Sequence, residues 1–107
     1  MQAQRLKDVL SELSLGGYRE LGRVDDRIAG IFRAAADSWV WERHPKGDEL
    51  LHVLEGDLEI TLLRDEGSEK TVLGAGTVFV VPRGVWHRPH AITNVSLFFG
   101  LFRKSSG

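Results

Sequence analysis

A chain of 107 residues with a formal net charge of -1 has room for one hydrophobic core and carries no basic field for nucleic acid or an anionic membrane. Hydrophobic residues at 42% and charged residues at 27% place it with ordinary soluble globular proteins. The absence of cysteine excludes a disulfide framework and thiolate chemistry, and fits a reducing compartment.

The first residues, MQAQRLKDVLSEL, are polar and amphipathic, unlike an apolar signal core. Leu6, Val9, Leu10 and Leu13 fall at i, i+3, i+4 and i+7, which predicts a helix over about 3–15 whose stripe docks on a sheet or a dimer contact. Gly16 and Gly17 suit its C-terminal end. From there the period drops to about 2, with strand-like runs at YRELGRV, RIAGIFRAA, SWVWERH, ELLHVLEG, LEITLLR, KTVL, TVFVVP and VSLFFGLF. Turn chemistry separates them at VDD, PKGD, EGD, RDEGSEK, GAG and PRG. Many short strands with no second helix predict an all-β sandwich or barrel occupying about 18–102, with 103–107 as a frayed tail. The longest apolar run, near VSLFFGLF, is far short of a membrane span, so a cytoplasmic protein with no membrane contact is the expectation.

The segment from Trp39 to Gly56 carries the most chemistry. Glu42 and His44 lie two apart in an expected strand and therefore share a face. Pro45-Lys46-Gly47-Asp48 is a plausible hairpin connection, and folding back there sets Glu49 opposite His44. The same residue types are common at a solvated hairpin tip, so the segment by itself leaves both readings open. Further on, Gly74 and Gly76 suit a tight turn, Pro82 stops a β-branched run, and Gly84 permits a bend before His87. His87 taken alone reads as a structural histidine.

Together these two segments resemble the paired motifs of the cupin superfamily. The first motif runs His-x-His, three or four residues, Glu, six residues, Gly; His44, Glu49 and Gly56 keep that spacing. The second runs Gly, five residues, Pro-x-Gly, two residues, His, three residues, Asn; Gly76, Pro82, Gly84 and His87 fall in place. Glu42 replaces the first histidine and Ala91 the terminal asparagine. The resemblance implies one small antiparallel β-barrel, a double-stranded jelly roll with a short N-terminal α-helix, spanning 1–107 as a single cupin domain. It also implies a homodimer.

The resemblance further implies a divalent transition metal, among Fe, Mn, Zn or Ni, held by His44, Glu49 and His87. Two imidazoles and a carboxylate with open positions are the set of non-haem Fe(II) oxygenases. Three roles are open to Glu42: fourth ligand, general base raised in pKa by burial, or ion-pair partner of a histidine in a metal-free site. Val40, Leu51, Val53, Phe79 and Val81 share parity with site residues and are expected as apolar pocket walls, with Trp86 and His90 at the pocket or its rim. Trp39 and Trp41 have the opposite parity and are assigned to core packing or an interface; His52 should face outward. Arg83 and Arg88 stand near the expected mouth. Two functions follow: a metal-dependent enzyme acting on a small organic molecule, dioxygenase- or isomerase-like, or a non-catalytic small-ligand-binding or sensing module with a degenerate metal site.

Overall fold

The computed structural model describes residues 3–102; the expected tail at 103–107 lies outside the described residues. Helix α1 (Leu6–Glu12) precedes strands β1 (Tyr18–Val24), β2 (Arg27–Ala34), β3 (Glu49–Glu55), β4 (Leu58–Arg64), β5 (Gly67–Leu73), β6 (Val78–Val81), β7 (His87–Ala91) and β8 (Val95–Phe102). They form two antiparallel sheets, of order β1-β2-β8-β3-β6 and β5-β4-β7, the jelly roll expected from the sequence.

Alternation builds the core. Leu51 and Val53 of β3, with Val95 and Phe99 of β8, face Leu58, Ile60 and Leu62 of β4, Leu73 of β5 and Ala91 of β7. Val53 and Val81 are fully enclosed in that cluster and Phe79 packs against it, so these three support the pocket from the core and do not line it. Gly56 shows why the turn after β3 needs glycine. Its φ is +85°, and a Cβ there would run into the Asn94 carbonyl oxygen.

Helix α1 is shorter than expected because Leu13 is extended (φ -98°, ψ 126°), and the last turn closes at Glu12. Val9 is the buried member of its stripe. Gly16, at φ +86°, serves the turn into β1, where its N–H reaches the Arg33 carbonyl. Arg33 Nη1 in turn donates to the Leu13 carbonyl, fastening the helix end to β2.

The segment read as a strand at SWVWERH is instead a strap, joined to β7 by two isolated bridges, Trp39↔His90 and Glu42↔His87. The expected hairpin between this segment and β3 does not form: β3 pairs with β6 and β8. The strap's backbone partner is β7, and there the ladder is broken. His87 and Ala91 send their N–H groups to the strap carbonyls of Glu42 and Ser38, so alternation aims residue 89 the same way. Residue 89 is proline and has no N–H to give, so its pairing with Ile60 of β4 is retained while the strap ladder is interrupted.

Candidate metal centre

The strap, β3 and β7 together assemble the site. Glu42 and His87 exchange backbone hydrogen bonds of 2.8 and 2.9 Å, which places their side chains next to each other on one face. His44, two residues on, shares that face, and its carbonyl accepts from Gly84 N–H at 3.0 Å. Arg43 Nε donates to the Gly84 carbonyl at 3.0 Å, and the Asp48 carboxylate accepts from Arg83 N–H at 2.8 Å. The Pro82-Arg83-Gly84 turn, bent through the φ of +77° at Gly84, thus clamps both ends of the 43–48 connection. Glu49 enters from the other sheet as the first residue of β3.

The donor atoms of Glu42, His44, Glu49 and His87 lie within 4.8 Å of one another, an arrangement able to hold a metal ion. Glu49 Oε1 stands 3.3 Å from both His44 Nε2 and His87 Nε2, and Glu42 Oε1 stands 3.7 Å from His87 Nε2. The two imidazoles are tilted by 47° with centroids 5.1 Å apart.

His87 Nδ1 lies 3.1 Å from the Val85 carbonyl oxygen, which can only accept, so in a neutral ring this nitrogen carries the proton. The remaining lone pair at Nε2 then points at carboxylate oxygens, and this buried atom has no hydrogen-bond partner. A lone pair facing carboxylates calls for a cation between them, either a proton or a metal ion. The donor set of two nitrogens and two oxygens fits first-row divalent metals.

Burial and the neighbouring Glu49 charge raise the Glu42 pKa against the opposing pull of the two histidines. Burial also acts to raise Glu49, but the hydrogen bonds and charge that His44 and His87 supply when their rings are protonated outweigh it and leave the pKa lowered. The two carboxylates are thus inequivalent: the Glu49 side chain is 9% exposed and Glu42 41%.

The site opens into a cavity of about 380 Å³. Val40 and Leu51 line it as expected. Trp39, assigned by parity to the opposite face, lines it too, because the strap does not hold strand alternation; its ring carries the Arg88 guanidinium at 4.6 Å. Trp41 and Trp86 line an adjoining groove that shares Glu42 and His44 with the cavity, which puts Trp86 at the rim. His90 is not at the pocket. Three residues along β7 from His87, it turns outward, where Asp37 and Glu59 stand 3.6 and 3.8 Å from its ring nitrogens. His52, on the outer face of β3, is half-buried beside Val78. Tyr18, Phe32, Leu97, Phe99 and Leu101 also line the cavity and were not singled out from the sequence. Alternation in β2 and β8 groups them by face, but only the sheet order shows which face meets the metal donors.

Residues 32–99 match a family model described as Cupin domain, and the chain belongs to that family. Among solved structures it resembles a cupin-2 domain containing protein from Shewanella frigidimarina, with a TM-score of 0.80 and 27% identity over 94% of each chain. It also resembles Fe(II)-HppE solved with the alternative substrate (S)-1-HPP, at a TM-score of 0.68 and 21% identity, covering 79% of this chain and 48% of that one. The protein YdbB of Bacillus subtilis is 42% identical over 48 residues, a match that spans 45% of this chain and 40% of YdbB. Among the described residues no helix is long and apolar enough to cross a membrane.

Proposed function

We propose that this chain is a metal-dependent cupin enzyme that acts on a small organic molecule at a mononuclear centre held by His44, Glu49 and His87. The observation that carries this reading is the convergence of four donor atoms within 4.8 Å at the end of an otherwise apolar cavity. A bound divalent ion would supply Lewis acidity and open coordination positions. The Val85 carbonyl fixes the His87 ring so that Nε2 faces inward. Glu49, buried between both imidazoles, supplies the anionic donor. Glu42 is the most exposed of the four and its pKa is raised, which suits a group that takes and returns a proton at the cavity wall; it also stands close enough to complete the donor set.

A second reading, a ligand-binding or sensing module without turnover, is favoured by one observation: Glu42 occupies the position where the family pattern places a histidine. Elemental analysis of protein purified without chelator, beside a His44→Ala, His87→Ala double variant, tests the metal centre. Near-stoichiometric transition metal in the wild type and none in the variant is expected. A wild type that stays empty after anaerobic addition of Fe(II) and Mn(II) would move the assignment to the second reading.

We also infer a homodimer. The outer face of β3 and β6 presents Leu50, Val78 and Val80 to solvent, and the register pairs Leu50 with Val80 and His52 with Val78 into one apolar patch. A second copy of the chain would cover it.

A further inference from the structure

The cavity walls carry information about what enters. Apart from the four donor residues, the lining is aromatic and aliphatic, with Phe32, Trp39, Leu97, Phe99 and Leu101 forming much of it. Its remaining polar groups are few; the Ser38 hydroxyl is already turned to the Ala35 carbonyl at 2.6 Å. Among the described residues no lysine or arginine lines this cavity. The nearby cations lie outside this lining, with Arg43 and Lys46 on the adjoining groove. Arg43 Nε donates to Gly84, Arg27 lies over the Phe102 ring at 4.1 Å and donates to the Asp48 carbonyl, and Arg88 sits on Trp39.

Charge at the floor points the same way. Glu42 and Glu49 both face the site, so with both ionised a divalent ion there carries no surplus positive charge for an incoming anion. A carboxylate or phosphate entering this space would lose its hydration and meet neither a guanidinium nor an ammonium group among the residues that line it.

We propose, resting on the metal-centre reading above, that this site takes an uncharged, largely apolar small molecule whose single neutral oxygen, a phenol, alcohol or carbonyl, is directed at the Glu42–His44–Glu49–His87 floor. Organic acids and phosphorylated compounds are discriminated against. The volume of about 380 Å³ suits a molecule of one or two rings.

The test is a matched pair of probes, 4-ethylphenol and 4-ethylbenzoate, titrated by calorimetry into full-length protein in metal-free and Mn(II)-loaded forms. The Trp39 indole N–H resonance reports whether binding is in this cavity. The phenol is expected to bind at least tenfold more tightly than the benzoate and to shift the Trp39 signal. Ser38→Arg, at an exposed cavity-lining position, is expected to narrow or reverse that preference while leaving the circular dichroism spectrum unchanged. Equal or tighter binding of the benzoate to the wild type overturns the proposal, as does failure of both probes to move Trp39. Metal occupancy is read separately. A chain that takes no metal but still prefers the phenol removes the metal centre and keeps the substrate class. One that takes metal and prefers the benzoate removes the substrate class alone.

Discussion

His87 Nε2 stands 3.3 Å from Glu49 Oε1 with no hydrogen joining them in the neutral ring, because the proton sits at Nδ1, opposite the Val85 carbonyl. That relationship leaves the gap between them to a cation, either a proton or a metal ion. Replacing either residue removes one of the three donors proposed to hold the ion. His87→Gln and Glu49→Gln are each expected to weaken Zn(II) or Mn(II) binding by on the order of 100-fold or more, beyond the 10–100-fold typical of outer-shell substitutions. Competition against a chromophoric chelator measures it. Unchanged affinity in both variants would show that a proton, not a metal, bridges the pair.

Glu42 and Glu49 predict opposite pH behaviour in chelator-treated protein. Glu49 has a folded pKa below its ordinary value of 4.5, so its contribution to stability is present above that value and is lost as pH falls through the folded pKa. Glu42 has a folded pKa above 4.5, so stability falls as pH rises from the ordinary value through the raised one. Metal-free Glu42→Gln is therefore expected to melt above wild type at neutral pH, and Glu49→Gln below it. Both differences should shrink in acid, where the wild-type carboxyls are protonated. Thermal melts from acid to neutral pH in EDTA give the comparison; a Glu42→Gln protein that melts lower at neutral pH contradicts the assignment.

Two motif glycines with the same backbone conformation predict different costs. Gly56 and Gly76 have φ of +85° and +84°, but a Cβ at Gly56 meets the Asn94 carbonyl and Thr93 Oγ1, whereas at Gly76 nothing lies within 4 Å. Gly76→Ala should cost about 1–2 kcal/mol, the left-handed strain alone. Gly56→Ala should cost more by at least ~1 kcal/mol, since the β3–β4 turn must move off the 93–94 segment. Urea denaturation resolves the two; equal losses would mean the turn yields freely.

Much of this was legible in the sequence, for identifiable reasons. The spacing His44, Glu49, Gly56 and Gly76, Pro82, Gly84, His87 encodes turns and donors together, so fold and donor set could be read at once. Leu51 and Val40 followed from parity with those donors. What escaped was set by Pro89. A proline inside HRPHA hid β7, and its missing N–H interrupts the ladder between β7 and the strap, where SWVWERH was expected to pair with the Glu49 strand instead. Parity then failed for Trp39, which reaches the cavity, although it held on β7 itself, where the outward His90 lies three positions after His87. Tyr18 and Phe99, whose rings stack with centroids 5.8 Å apart at the cavity, depend on β2 and β8 being neighbours across most of the chain. Local sequence carries no signal for that pairing.

The outer sheet face supplies a last prediction. Val78 and Val80 are 56% and 51% exposed on β6, a four-residue strand at the edge of the larger sheet, and Leu50 beside Val80 is 38% exposed. Burying this patch against a second copy removes apolar surface from water, a gain that a lysine at its centre would cancel. Val80→Lys lies on the solvent side, so its cost to the fold should stay within about 0.5 kcal/mol. Its effect on self-association should be larger, raising the dimer dissociation constant at least about tenfold, the equivalent of roughly 1.4 kcal/mol. Sedimentation velocity across micromolar concentrations distinguishes the cases. A wild-type dimer converted towards monomer by Val80→Lys, with metal content unchanged, supports this face as the contact. A wild-type monomer sinks the dimer, and a dimer indifferent to Val80→Lys moves the contact elsewhere on the molecule.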